Sequence, residues 1–288
     1  MTANRLTWGA HSLDFDARAQ IMGIVNVTPD SFSDGGHFYT RDRAIDQGLR
    51  LIDDGADIID IGGESTRPFS DPVSQEEEIR RVAPVIEALA RRIDRPISID
   101  TTKSGVARRA IDAGASMIND VSAMHMDDEM APLAAAARVP VILMHMKRSP
   151  KTMQLSPSYE NIIAEITHFL QNAMDRAIKN GIPKSMIIID PGIGFGKTLS
   201  HNLEIIKRLN EFKILGAPIL MGHSRKSFIQ NILKKTPDQK MDPESPLVEI
   251  GTLAAGAAAI LNGANILRVH DAAGAAATVT LIDAIMKS

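Results

Sequence analysis

Cysteine is absent from this 288-residue chain, which removes disulfides, thiolate metal sites and thiol nucleophiles together. Aromatic residues make up only 4%, and no run of Arg and Lys has rings interleaved with it, so no nucleic-acid platform is expected. Charge is nearly balanced: a formal net of -3 gives no strong field to attract a polyanion or an acidic membrane. The longest apolar stretch, Leu253–Leu261, falls far short of the ~20 residues that span a bilayer. Met1–Gln20 has no apolar core of a secretory leader, and the expectation is a cytoplasmic protein. Among the 8 histidines there is neither H-x-H after the first strand nor H-E-x-x-H, which disfavours a zinc-dependent hydrolase.

What the chain does have is repetition. Short apolar runs recur, and nearly every one stops at a polar or charged residue. They are Ile21–Val25 (then Asn26), Ile58–Ile61 (then Gly62-Gly63-Glu64), Ile97–Ile99 (then Asp100) and Met117-Ile118 (then Asn119-Asp120). Val141–Met144 (then His145), Met186–Ile189 (then Asp190), Ile219–Met221 (then His223-Ser224-Arg225-Lys226) and Ile266-Leu267 (then Arg268) complete the series. Buried parallel strands read as plain apolar runs of this kind. Between them lie helical stripes such as Ile79, Val82, Ile86 and Leu89, opened by a Ser74-x-x-Glu77 capping box. Gly-Ala pairs at 55, 114, 216 and 263, with Gly181-Ile182-Pro183 as a variant, mark the return from helix to strand.

This pattern predicts an α/β chain, a (β/α)8 TIM barrel spanning residues 1–288 as one domain, with a short N-terminal hairpin over the barrel bottom. Such barrels take about 250 residues. An open doubly wound sheet is the alternative, but no linker splits the chain. In a barrel, the residues that end the runs share one face.

Two nucleotide fingerprints fail. Gly196-Lys197-Thr198 lacks a Walker A glycine, because Pro191 stands five residues earlier, and Lys197 replaces the third glycine of G-x-G-x-x-G. What remains is a constellation at the strand ends. Asn26, Asp100, Asn119 and Asp190 suit a planar heterocycle with guanidine-like edges, since a carboxylate accepts two N–H bonds and amides give and take one each. Helix capping is the competing reading for any one of them. Arg67, Arg225, Lys226, Arg268 and His270 form a cationic half suited to a diphosphate with Mg2+, with solvated surface charge the competing reading for Arg67 and Arg225.

The motifs behind these residues resemble bacterial dihydropteroate synthases, of the pterin-binding enzyme family. The resemblance is carried, in family order, by Asn26-Val27-Thr28-Pro29-Asp30-Ser31-Phe32-Ser33-Asp34-Gly35-Gly36, Asp60-Ile61-Gly62-Gly63-Glu64-Ser65-Thr66-Arg67-Pro68 and Ser98-Ile99-Asp100-Thr101. Ile118-Asn119-Asp120-Val121, Asp190-Pro191-Gly192-Ile193-Gly194-Phe195-Gly196-Lys197, Ser224-Arg225-Lys226-Ser227-Phe228 and Arg268-Val269-His270-Asp271 follow. It implies condensation of 6-hydroxymethyl-7,8-dihydropterin diphosphate with p-aminobenzoate, with catalytic parts for Lys226, Arg67, Asp100, Arg268 and His270. The pterin would be held by Asp100, Asn119, Asp190 and Lys226. Thr66, Arg67, Pro68, Phe195 and Ser227 would receive p-aminobenzoate. Asn26, Arg67, Arg268 and His270 would take the diphosphate, with Asn26 on Mg2+. Phe69 and Ala123 stand where the family usually has Gly, Lys147-Arg148 where Gln-Gly is common, and His223 where a small or aliphatic residue is usual. A homodimer is also expected, and Gly251, Ala255 and Ala259 form a small-residue stripe that would let another helix come close.

Overall fold

The structure, a computed structural model, describes residues 5–28, 37–65, 72–147 and 157–288. Two antiparallel strands, β1 (Arg5–Trp8) and β2 (His11–Asp14), form the expected hairpin. Eight parallel strands follow: β3 (Gln20–Asn26), β4 (Ile58–Gly62), β5 (Ile97–Asp100), β6 (Met117–Asp120), β7 (Val141–Met144), β8 (Ile187–Asp190), β9 (Leu220–Met221) and β10 (Ile266–Val269). Their order is β8-β7-β6-β5-β4-β3-β10-β9, and a parallel bridge from Ile189 to Ile219 joins the two remaining edges. The outer ring holds α1 (His37–Asp53), α2 (Gln75–Ala90), α3 (Ser104–Asp112), α4 (Met130–Ala137), α5 (Ile162–Lys179), α6 (Leu199–Lys207), α7 (Ser227–Leu233), α8 (Pro246–Leu261) and α9 (Ala272–Lys287).

The strands are buried on both faces, which is why they read as unbroken apolar runs. Outward residues such as Ile59, Ile61 and Ile99 pack against Val82, Ile86 and Leu89 of α2 and its neighbours. Inward residues near the strand starts form a separate floor: Met22, Ile58, Met117, Ile142, Ile188, Leu220 and Ile266. Leu6, Trp8 and Leu13 of the hairpin complete that floor from below, and Trp8 Nε1 donates to the Ser116 carbonyl at 2.7 Å. Two residues further along the same inward face, the apolar floor gives way to a polar ring. Ile58 leads to Asp60, Met117 to Asn119, Ile188 to Asp190 and Ile266 to Arg268, because side chains alternate with a period of two. One pleat repeat therefore separates the floor from the chemistry.

Helix ends follow the sequence with one amendment. Gly55, Gly114, Gly181, Gly216 and Gly263 all take positive φ at the helix-to-strand junctions, as expected for αL caps. Ser74 does cap α2, its hydroxyl accepting from Glu77 N at 3.2 Å, but the reciprocal half of the box is replaced: Glu77 turns outward to Arg80 and Arg81. Two guanidiniums compete better for a carboxylate than one backbone N–H does. A complete box forms instead at α6, between Thr198 and His201.

Candidate active site

Asp60 holds the polar ring together. It sits in the middle of the run Ile58–Ile61, is fully buried, and accepts from Arg268 Nε at 2.6 Å and Asn119 Nδ2 at 3.0 Å through one oxygen. Its other oxygen has no hydrogen-bond partner among the described residues. Arg268 reaches Asp100 with its Nη2 at 2.6 Å, so one guanidinium lies between two carboxylates. Burial opposes the arginine's charge, but Asp60 and Asp100 outweigh it and hold Arg268 protonated. Two acids around one cation leave a negative charge uncompensated. Burial accordingly raises the Asp100 pKa, Arg268 pulls it back, and the charge of Asp60 adds to the rise.

Asp190 lies across the mouth, buried, with Oδ1 accepting the Gly192 N–H at 2.7 Å. Burial pushes its pKa up to about 6, against the pull of the Gly192 N–H, Lys226, Lys197 and Arg268. Lys226 extends over the Phe195 ring at 4.2 Å, and Phe195 packs with Val121, Met144 and Met146 as an apolar wall beside the ring of polar groups. His270, just past β10, has Nδ1 at 2.9 Å from the Ser224 hydroxyl, which also accepts the His270 backbone N–H at 3.3 Å. Ser227 opens α7. Asn26 ends β3 beside Gly62 at the same rim.

The sequence-selected residues therefore divide clearly. Asn26, Asp100, Asn119, Asp190, Phe195, Lys226, Ser227, Arg268 and His270 stand at the strand-end face or on the loops leaving it. Thr66, Arg67, Pro68 and Phe69 lie outside the described residues, as does the Pro29–Gly36 part of the first motif. The strand leading toward them is anchored: Lys103 binds Glu64 and Glu78, and Arg81 Nη1 donates to the Gly63 carbonyl at 2.9 Å. Arg225 is corrected. It turns away from the mouth to Glu249 of α8, with Nε to Oε2 at 2.9 Å. Arg268 stands at the rim, with its guanidinium engaged by Asp60 and Asp100.

Sequence reasoning gave no role to Asp60 or Ser224, although a charge inside an apolar run was a usable signal for Asp60. Ala123 takes φ 52°, the left-handed region, which accounts for glycine being usual there. Asp120 holds that turn, accepting from Ser122 N at 2.7 Å and Met124 N at 2.9 Å. His223 is buried against α8, with Nε2 3.1 Å from the Thr252 carbonyl, and serves packing. His125 pairs with Arg176 at 2.7 Å.

Fold and mouth define a (β/α)8-barrel protein that gathers buried acids and an amide beside cations at its strand-end face. The family model for pterin binding enzymes matches residues 22–270, and the chain belongs to that family. It is 45% identical over 279 residues to a dihydropteroate synthase of Synechocystis sp., covering 97% of this chain and 94% of the relative. A solved Xanthomonas albilineans dihydropteroate synthase with 4-aminobenzoic acid superimposes with TM-score 0.91 at 42% identity, covering 100% of both chains. The same species' enzyme in complex with 7,8-dihydropteroate gives TM-score 0.87 at 41% identity, covering 99% of each.

Proposed function

We propose that this mouth joins 6-hydroxymethyl-7,8-dihydropterin diphosphate to p-aminobenzoate, releasing 7,8-dihydropteroate and diphosphate. The protein is a transferase of the dihydropteroate synthase type. One observation carries the reading of its site: Asp60 ties Asn119 of the amide-and-acid set to Arg268 of the cationic set through a single oxygen, so both sets share one rim. Asp190 and Asn119 take the pterin's amino and ring N–H edges, with Asp100 and Lys226 at its other edge. Arg268 and His270 face the diphosphate, and the second sequence motif assigns Arg67 to the same anion. With Nδ1 accepting from Ser224, the imidazole presents its N–H at Nε2 toward that anion. Phe195 and Ser227 border p-aminobenzoate, to which the second sequence motif also assigns Thr66, Arg67 and Pro68.

The reaction is substitution at a CH2 group. The C–O bond to diphosphate breaks with the electron pair leaving on oxygen, and the electron-rich pterin ring stabilises the resulting cation. The aniline nitrogen then donates its lone pair to form the C–N bond, and the surplus N–H proton departs to diphosphate or water. No strong base is needed, because an aniline is unprotonated at neutral pH. The residues supply fixed positive charge where negative charge grows, and exclude water from the cation.

Mg2+ belongs to this reading as a substrate-borne ion. No group of three or more His, Cys, Asp and Glu able to hold a metal occurs among the described residues, and Asp60 and Asp100 are committed to Arg268. Asn26 offers one neutral oxygen, which fits an ion whose other ligands are phosphate oxygens and water. Bound there, Mg2+ would supply positive charge against the leaving group. We expect diphosphate release by the purified protein only when p-aminobenzoate and Mg2+ are both supplied, read by a coupled diphosphate assay. Release without the amine would overturn the proposal.

The reading includes a cytoplasmic homodimer. No helix among the described residues is long and apolar enough to cross a membrane. The small-residue stripe does not face outward: a Cβ on Gly251 would meet Ile229 of α7 at 2.6 Å, and Ala259 is buried in the core. The apolar face left open is larger in side chain, with Leu247, Ile250 and Leu261 on α8 and Leu281 and Ile285 on α9 exposed. Such a patch favours a protein partner, and a second copy is the simplest. Ile250→Glu combined with Leu281→Glu is expected to sediment as a folded monomer, while the native chain sediments as a dimer. A native monomer would refute this.

A further inference from the structure

The lysine that spoils both nucleotide fingerprints, Lys197, is only 3% exposed. Its Nζ lies 3.0 Å from His145 Nδ1, 3.0 Å from the Phe195 carbonyl and 3.5 Å from the His145 carbonyl. No carboxylate is within bonding range in that set. Burial drives its pKa down to about 7; Asp190 opposes the shift, while Lys226 and Lys147 reinforce it. Burial, with Lys197 and Lys147 nearby, also keeps His145 neutral, so its ring nitrogen accepts from the amine. A methionine would fill the same volume without any desolvation penalty. What only an amine supplies is the set of directed contacts, and one of them ends on the backbone of Phe195 itself.

That backbone needs holding. Gly192, Gly194 and Gly196 take φ values of 71, 84 and 66°, so the loop after β8 alternates glycines in the left-handed region and has little stiffness of its own. It is pressed onto the exit of β7. A Cβ on Gly192 would stand 1.9 Å from the His145 carbonyl oxygen, and one on Gly196 would stand 2.9 Å from Lys147. Asn202 Oδ1 accepts the Gly194 N–H at 2.8 Å, and the Tyr159 hydroxyl donates to the Gly196 carbonyl at 3.0 Å. These two contacts pin the residues on either side of Phe195. Lys197 pins Phe195.

We propose that Lys197, seated on His145, is a positioning residue that fixes the Phe195 wall and thereby sets the enzyme's affinity for p-aminobenzoate, without touching either substrate. The proposal rests on the function argued above. Assayed at about pH 8, where Asp190 is ionised and Lys197 largely neutral, Lys197→Met is expected to raise KM for p-aminobenzoate about tenfold while kcat and KM for the pterin diphosphate change less than twofold, since displacement of a wall weakens only the ligand resting on it. His145→Leu, which removes the acceptor, should shift the same KM in the same direction, and the double variant should be no worse than Lys197→Met alone. An unchanged p-aminobenzoate KM in a folded variant, a rise in both KM values, or a fall in kcat alone would overturn the proposal. Absence of dihydropteroate formation by the native enzyme would instead sink the function on which it rests.

Discussion

Arg268→Met is expected to reduce turnover about 10²–10³-fold and to lower the melting temperature by several degrees. The two losses have different origins. Catalytically, a fixed cation disappears from beside the departing diphosphate, and removal of one such preorganised group typically costs about 10²–10³ in kcat. Structurally, Asp60 and Asp100 lose the guanidinium that both hold at 2.6 Å. Breaking a buried pair by deleting one partner costs about 3–5 kcal/mol, part of which proton uptake by Asp100 relieves. Adding Asp60→Asn to the same chain should restore much of the melting temperature and none of the activity. Calorimetry and steady-state assays on the three variants separate these effects. A single variant that melts with the native protein would show the Asp60–Arg268–Asp100 arrangement to be worth little to the fold.

Asp190→Asn is expected to lower kcat/KM for the pterin diphosphate by about 10³, because a site built to accept two N–H bonds would then present one N–H toward another. Stability should move the other way. The asparagine oxygen can still accept the Gly192 N–H, and a buried acid held above its ordinary pKa no longer has to ionise. The sign with pH follows from the raised value. Between about pH 4 and 6 the folded state binds a proton more readily than the unfolded chain, so the native apo-protein gains stability as pH falls through that window. Activity does the reverse, since the ionised form is the acceptor: it should fall as pH drops below about 6. The asparagine variant should lose this component of both dependences. Retention of full activity, or a melting temperature well below native, would contradict the role given to Asp190.

Much of this was legible in the amino-acid order, for physical reasons. Parallel strands enclosed on both faces must be apolar throughout, so their ends are sharp, and Asn26, Asp100, Asn119 and Asp190 could be placed before any coordinates. The same rule concealed Asp60. Its inward parity with Ile58 puts it in the polar ring, yet two isoleucines and a third beyond it made the segment read as core. Partner choice was less visible still. Arg268 finds its carboxylates 208 and 168 residues away, a pairing that depends on barrel closure rather than local pattern. Arg225 was grouped with the rim cations from its place in the motif, but its positive φ and Glu249 direct it to α8. The partial capping at Ser74 and the complete one at Thr198 turned on side-chain competition that spacing does not encode.

The hairpin under the barrel has a consequence for traffic. With Leu6, Trp8 and Leu13 stoppering the lower end, the cavity is a cul-de-sac, and everything that enters or departs must use the same doorway. In the function proposed above, the bicycle whose edges meet Asp190 and Asn119 occupies the innermost berth, and the amine stands nearer the threshold beside Phe195 and Lys226. An amine arriving first would stand in the other's path, so the geometry imposes a queue: bicycle before amine, and a joined product that backs out by the way its parts came in.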